Sequence, residues 1–326
     1  MSFMQVIDLK VHYPIRGGFF NTIVDWVYAV DGIDMEFEQG KTYGLVGESG
    51  CGKSTTGKAI IGLEKITSGK ILFEGEDVTR ERRSRTSRFH REVQMIFQDS
   101  HSSLNPRKRI ADILAEPIRN FLHLTPREES RKIGELLEIV GLPQDAKEKY
   151  PHEFSGGQKQ RINIARALAT HPKMIIADEP VSALDLSVQA QVLNFMKDVQ
   201  REFGLTYLFI SHDLGVVKHM CDTIFIMYKG RFVERGTKED IYGNSKHLYT
   251  KRLLSSIPAT TPVGREKRKR ARKEFEKVYE KMIHKAFDQN GRVYDLIPVS
   301  DTHYVSAPSA RELLEIGKES EMGGSR

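Results

Sequence analysis

Apolar and polar positions change period along the chain, and the changes mark its elements. Ile33-Asp-Met-Glu-Phe-Glu38 alternates strictly between apolar and acidic residues, the period of a strand with one buried face. Gln39-Gly40-Lys41 turns the chain, and Thr42–Val46 follows as an apolar run suited to a strand covered on both faces. That run enters a glycine-rich stretch and then a helix expected from Lys53 to Leu63; strand, loop and helix in this order make an α/β unit. In the middle third the period becomes helical. Thr125-Pro-Arg-Glu128 is a capping box with proline at the first helical position, and Ile133, Leu136, Leu137 and Val140 follow at helical spacing. Gly141 and Pro143 stop that helix, which reads as part of a helical insertion in an α/β core. Met174–Ala177 and Leu205–Ile210 are again short apolar runs, each ending in a polar cluster, Asp178-Glu179 and Ser211-His212. In parallel sheets reactive residues gather at such carboxyl ends. Beyond about residue 245 the pattern weakens: the basic run Arg265–Lys273 enters an amphipathic helix expected through Lys285, and Gly317–Arg326 has the composition of a disordered tail.

A chain of 326 residues suits one large domain with an appendage, and 39% apolar with 29% charged residues is a globular composition. The longest apolar runs, such as Thr223–Tyr228, have strand length and fall far short of the roughly 18 residues of a spanning helix. A pore, if there is one, is expected from another chain. Met1–Gln5 lacks the charged and then apolar pattern of a signal peptide. Two cysteines, Cys51 and Cys221, are too few for a four-sulfur zinc site, an iron–sulfur cluster or a disulfide framework, which points to a reducing, cytosolic compartment. The net charge of +6 hints at an anionic partner and decides nothing alone, since the basic excess is uneven along the chain.

The chemistry concentrates in Gly47-Glu48-Ser49-Gly50-Cys51-Gly52-Lys53-Ser54, which fits G-x-x-x-x-G-K-[ST]. Glycines let the backbone curl so that several amides face one anion, and the following helix aims its positive end at the same point. Lys53 is placed to reach the β- and γ-phosphates of ATP, Ser54 to hold Mg²⁺, and Thr55 to close the cradle. Such a match arises by chance in roughly one chain in a hundred of this length, and the flanking strand and helix make chance rarer still. Downstream, Asp178 suits Mg²⁺ through a water, and Glu179 suits a general base that orients the attacking water. An Asp-Glu pair after a strand is by itself usually a solvated loop; the phosphate loop upstream reverses that weighting. Phe154-Ser155-Gly156-Gly157-Gln158 opens a second anion-binding helix start, running through Ile162, Ala165 and Leu168. One nucleotide site does not need two such cradles. A head-to-tail pair of subunits would use both.

Gly47–Ser54, Gln98, Phe154–Gln158, Ile175–Glu179, Ser182-Ala-Leu-Asp185 and His212 together resemble the full ordered motif set of ABC-transporter nucleotide-binding subunits, over roughly residues 3 to 245. The resemblance implies a P-loop NTPase core of the RecA-like α/β class, with an antiparallel β subdomain and a helical insertion over about 99–165. It divides the chain into a nucleotide-binding domain, 1–245, and a C-terminal extension, 246–326, in which composition leads one to expect a partly disordered tail over about 317–326. It implies ATP and Mg²⁺ as ligands, with catalytic roles for Glu179, His212, Gln98 and Lys53. Tyr13 stacks on adenine, and Gln98 senses the attacking water and joins Ser54 and Asp178 around Mg²⁺. Ser155, Gly156, Gly157 and Gln158 contact the ATP held by the partner, Asp185 lines the subunit interface, and His212 touches the γ-phosphate. Phe154 stands where leucine is commoner, a change that leaves the phosphate contacts alone.

Three further stretches resemble the peptide-importer branch, which comprises oligopeptide and dipeptide permeases with nickel relatives. They are Phe97–Pro106 with Asp112–Pro117, Tyr150–Phe154, and His247–Pro258, where Leu248 replaces the usual proline. Within the branch the chain resembles the subunit lettered F of a non-identical ATPase pair. The implied partners are a second ABC ATPase, two multi-span permease subunits and, indirectly, an extracellular substrate-binding protein, with the chain peripheral on the cytoplasmic face of the plasma membrane. Some relatives carry a cysteine-ligated iron–sulfur cluster near the C-terminus; residues 246–326 hold no cysteine, so none is expected here. Two alternatives stand beside peptide import. One is a nickel or other small-solute importer. The other is a soluble ABC ATPase acting on nucleic acid or ribosomes, for which the run at 265–273 could speak. Against the second, the chain has one motif set, no long coiled coil and no zinc cysteines, so no nucleic-acid partner is expected.

Overall fold

The computed structural model describes residues 2–80, 87–98, 103–257 and 265–309. The first residues of the anticipated insertion, 99–102, and the anticipated disordered tail, 317–326, lie outside the described residues. The elements run β1 (Met4–Gly17), β2 (Thr22–Phe37), β3 (Thr42–Val46), α1 (Lys53–Ile60), β4 (Ser68–Phe73), β5 (Glu76–Asp77), α2 (Arg88–Glu92), β6 (Val93–Ile96), α3 (Ile110–Phe121), α4 (Pro126–Ile139), α5 (Gly156–Leu168) and β7 (Met174–Asp178). They continue with α6 (Leu186–Phe203), β8 (Thr206–Ser211), α7 (Leu214–Met220), β9 (Thr223–Tyr228), β10 (Arg231–Thr237), α8 (Lys238–Asn244), α9 (Leu248–Ser255), α10 (Arg265–Met282), β11 (Leu296–Pro298) and β12 (Tyr304–Ser306). No described helix is long and apolar enough to cross a membrane. The chain forms two compact units, one of Met1–Ile7, Asp34–Thr42 and Gly57–Ile210, the other of Asp8–Ile33, Tyr43–Thr56 and Ser211–Arg326.

In the first unit β6, β7 and β8 lie side by side and parallel, with Ile96 opposite Ala177 and Asp178 opposite Ile210. Parallel strands buried on both faces read as continuous apolar runs, and every residue of β7 and β8 is buried. The end of β2 shows the expected alternation, Ile33, Met35 and Phe37 buried and Asp34 and Glu36 exposed. Phe3 ties that end to the β4 turn, its N–H donating to the Phe37 carbonyl and its own carbonyl accepting from Glu74, at 2.8 and 2.9 Å. The helical insertion packs α3, α4 and α5 on one another. Its α4 carries the expected capping box, Thr125 with Glu128, and buries Ile133, Leu136 and Leu137. The first helix departs from its expected length. It stops at Ile60 because Gly62 turns at φ +84°, and Leu63 is left exposed.

In the second unit β3 pairs in parallel with β9, and β9 and β10 form an antiparallel hairpin. The residues after 245 add to this sheet. β12 pairs antiparallel with β10, and β11 with β12. The expected amphipathic helix ends at Met282 and gives way to a 3-10 turn over Ile283–Ala286. The buried Glu234 of β10 organises the join: its carboxylate accepts from the backbone N–H of Lys246 and His247 at 2.6 and 3.2 Å and pairs with His303 at 2.8 Å. A buried carboxylate held by this many donors offsets its own desolvation. Asp31, also buried, accepts from Arg292 Nε at 2.8 Å and lies 3.1 Å from His12 Nε2. Two carboxylates in the sheet region thus grip the extension.

His247 caps α9, its Nδ1 accepting from the N–H of Tyr249. Burial pushes its imidazole down from 6.5 to about 4, with the Glu234 charge pulling the other way. The folded state therefore refuses a proton that the unfolded chain accepts below pH 6.5. Its stability contribution is complete above that value and is lost as pH falls towards 4, by about 2 kcal/mol between pH 7 and 5. Denaturant titrations at the two pH values should show that loss. In His247→Asn, which keeps a capping acceptor, this part of the pH dependence should be gone.

Candidate functional site

The glycine-rich loop leaves β3 and enters α1, both stages fixed by backbone geometry. A Cβ at Gly47 would sit 2.2 Å from the carbonyl oxygen of Met227, and one at Gly52 would sit 2.0 Å from that of Ala29. Gly52 also turns at φ +110° and Gly50 at φ +81°, the latter with open space around it. The loop is thus pressed against β9 and the middle of β2 at two corners, and turned left-handed at two. Lys53 is buried inside the curl, its Nζ donating to the carbonyls of Gly47 and Glu48 at 2.8 Å each. The Cys51 thiol beside it is raised in pKa by burial, with the Lys53 charge opposing, so it stays protonated at neutral pH. Thr56 Oγ1 closes the first turn of α1 on the Gly52 carbonyl at 3.0 Å. Ser54 and Thr55 occupy the first turn of α1. His212, after β8, lines one cavity of about 640 Å³ with Gly47, Glu48 and Ser49. The second unit therefore brings together the loop and His212. Tyr13 stands on β1, 38% exposed, as a flat aromatic face open to solvent.

In the first unit, adjacent parallel strands set Gln98 and Glu179 side by side. Gln98 follows β6 and Glu179 follows β7, and the Gln98 Nε2 donates to the Glu179 carboxylate at 2.9 Å. Asp178, the last residue of β7, is buried. Glu179 adopts φ +46°, uncommon for a residue with a side chain. Its N–H donates to the Ile210 carbonyl at 2.9 Å, and its carbonyl accepts from Ser182 through N–H and Oγ. These bonds hold a strained backbone in place, a feature that clusters at reactive sites. Phe97, beside Gln98, lies at the lip of a groove of about 500 Å³ bounded by β6 and by Glu116, Pro117 and Phe121 of the insertion.

α5 starts at Gly156, where the sequence places the second helix start. Ser155 and Gln158 make a reciprocal capping box at 3.4 and 3.0 Å, and Ser155 remains exposed. Gly156 and Gly157 have a further duty that spacing alone did not show. A Cβ at Gly157 would lie 2.6 Å from Val188, and one at Gly156 would lie 3.1 Å from Leu184. Those two residues flank Asp185, the N-cap of α6, whose side chain makes no capping bond. The paired glycines thus seat the Asp185 segment against the α5 start. Glu48 is an anchored corner of the loop, a role that no local pattern marks. Its N–H donates to Tyr249 Oη at 3.0 Å and its carboxylate pairs with Arg252 at 3.0 Å. The only available signal was the stretch His247–Pro258, read as a branch marker.

The comparisons with known proteins are these. A family model described as "ABC transporter" matches residues 30–182. The chain is 54% identical over 312 residues to the oligopeptide transport ATP-binding protein OppF of Lactococcus lactis subsp. lactis, covering 96% of this chain and 98% of that protein. It is 49% identical to OppF of Bacillus subtilis, covering 94% and 96%, and 46% identical to the dipeptide transport ATP-binding protein DppF of Escherichia coli, covering 81% and 79%. Among solved structures, CbiO1 of Clostridium perfringens, described as part of the ABC transporter complex CbiONQ, matches with a TM-score of 0.62 at 26% identity, covering 74% of this chain and 91% of that one. A dimeric ATP-binding cassette in a post-hydrolysis state, bound to ADP and Pi, matches with a TM-score of 0.62 at 24% identity, covering 72% and 98%, and shares the fold.

The two kinds of glycine constraint separate in a stability measurement. Gly50→Ala should cost about 1 kcal/mol, the backbone strain alone, whereas Gly52→Ala, with a carbonyl in the way, should cost about 3 kcal/mol or more. Denaturant midpoints of the two variants measure the difference; equal losses would mean that the Ala29 contact does not constrain the loop.

Proposed function

The chain belongs to the ABC-transporter ATP-binding proteins of the oligopeptide and dipeptide branch, and from that premise we propose that it powers peptide import as half of a two-subunit motor. It is an ABC ATPase and binds ATP. The observation that carries the mechanistic reading is the loop at 47–54, curled around Lys53 and opening on the cavity shared with His212. On this reading residues 1–245 form the nucleotide-binding domain and 246–326 an extension. Lys53 leaves the Gly47 and Glu48 carbonyls for the β- and γ-phosphates, Tyr13 stacks on adenine, and the amides from Gly50 to Thr55 converge on phosphate oxygens. Gln98 holds Glu179 in the orientation from which its carboxylate takes a proton from the attacking water. His212 contacts the γ-phosphate from the far wall of the cavity.

Mg²⁺ fits the donors assigned to it. Ser54, Gln98 and Asp178 supply hard oxygen atoms, and among the described residues no group of three or more His, Cys, Asp or Glu forms a metal cage. A hard cation bound to phosphates and water through one carboxylate is the usual form for Mg²⁺ in nucleotide enzymes. When bound, it neutralises charge on the phosphates; the chain's share is to hold the oxygen donors and the base.

The exposed Ser155 helix start and the Asp185 segment packed beside it suit the ATP held by a second, non-identical ATPase subunit, two nucleotides being clamped between the pair. Closure of the pair would act on two membrane permease subunits through the insertion, where a groove of about 500 Å³ lies beside Phe97. ATP thereby biases a two-state switch, and phosphate release reverses it. The chain sits on this reading at the cytoplasmic face of the plasma membrane, with a substrate-binding protein delivering peptide on the other side.

The test is co-purification with the membrane subunits and an ATPase assay with peptide-loaded receptor. Glu179→Gln should bind ATP normally and hydrolyse it about 100-fold more slowly or worse, since a positioned base contributes about that much. Lys53→Ala should lose nucleotide binding itself. Hydrolysis at the parent rate in Glu179→Gln would show that the base is elsewhere.

A further inference from the structure

The C-terminal extension reaches the phosphate-binding loop at Glu48 and holds both its backbone and its side chain. Tyr249 of α9 is fully buried, its ring 4.5 Å from that of Tyr228, and its hydroxyl accepts the Glu48 N–H at 3.0 Å. One turn on, Arg252 gives Nη1 to the Glu48 carboxylate at 3.0 Å and Nε to Glu276 of α10 at 2.8 Å, with its guanidinium 4.7 Å above the Tyr279 ring. Arginine is suited to this double duty, because its planar fork can serve two carboxylates at once and still stack on a ring. The start of α9 is fixed in turn by the His247 cap and the Glu234 carboxylate. A rigid chain of contacts therefore runs from the sheet through α9 to one corner of the loop. The wall facing that corner across the cavity is cationic, formed by Lys269, Arg272 and Lys273 of α10, none of which makes an ion pair with a described residue.

We propose that Tyr249 and Arg252 are positioning residues for the nucleotide site: by holding Glu48 they keep the loop in its phosphate-binding curl, and so the extension sets the affinity for triphosphate. The inference rests on the reading of 47–54 as the ATP cradle. A loop whose amides must converge on one anion binds more weakly in proportion to the time it spends out of that shape. Both side chains act through Glu48, so the effect belongs in binding and not in turnover. The surrounding cations add a favourable field for an incoming polyanion.

The experiment measures MgATP affinity and steady-state hydrolysis in the assembled transporter, with Lys53→Ala as the control that loses binding. Tyr249→Phe, which keeps the packing on Tyr228, should raise the Kd and KM for MgATP about fivefold, with kcat within about twofold of the parent. Arg252→Met should raise them about threefold, with Arg252→Lys recovering only part. Glu48→Gln combined with Arg252→Met should be no worse than Arg252→Met alone, because the two act through one contact. Variants that bind MgATP as tightly as the parent would overturn the inference, as would losses that add in the double variant or a fall in kcat at unchanged KM. If the parent itself fails to bind ATP, the reading of the loop as the nucleotide cradle fails, and this inference fails with it.

Discussion

A loop that cradles phosphate works only if its backbone curls more tightly than side chains allow, and the rest of this molecule is arranged around that constraint. At Gly47 and Gly52 the curl is pressed so closely on the carbonyls of Met227 and Ala29 that a single methyl group would collide. The reward is an interior in which Lys53, buried, spends its charge on two loop carbonyls at 2.8 Å. An ammonium held this way is pre-positioned without being tightly satisfied, since neutral carbonyls are poorer partners than phosphate oxygens. The strands beneath explain how the loop survives its strain. β3 is wholly buried and pairs with β9, which supplies the Met227 carbonyl, so the sheet itself enforces the turn.

The same logic of neighbouring strands governs Glu179, the proposed base. Parallel pairing puts the residues that follow β6 and β7 next to each other, and Gln98 then meets Glu179 at 2.9 Å without any long-range search by the side chains. The positive φ of Glu179 redirects its carboxylate at the point where the chain leaves the sheet, and bonds from Ser182 and to Ile210 keep it there. At the α5 start, small residues do two things at once. They free the backbone at a helix N-terminus, and they let Leu184 and Val188 close in on either side of Asp185.

How much of this was legible in the sequence depended on range. The alternation over Ile33–Phe37, the apolar run of β3, the capping box at Thr125, the helix start at Phe154–Gln158 and the glycine loop are local signals, each carried by a few adjacent residues, and the elements formed where the patterns placed them. The end of the first helix was misjudged by three residues, because apolar Leu63 continued the pattern while Gly62 stopped it. The extension was the least legible. Its strands β11 and β12 are three residues each, too short to show a period, and β12 finds its place by pairing with β10 about 70 residues earlier. Glu234 and Asp31 carry no local signal in the sequence, because their roles as buried anchors depend on partners far along the chain. Tyr249 and Arg252 were visible only as part of a branch marker, since nothing in their spacing points to Glu48.

The central claim is that triphosphate displaces the loop's own carbonyls from Lys53. A structure of the assembled transporter with a non-hydrolysable MgATP analogue tests it most directly. The account predicts phosphate density on the amides from Gly50 to Thr55, with the Lys53 ammonium moved off the Gly47 and Glu48 carbonyls and onto the β- and γ-phosphates. Nucleotide bound elsewhere, with Lys53 still on those carbonyls, would contradict it.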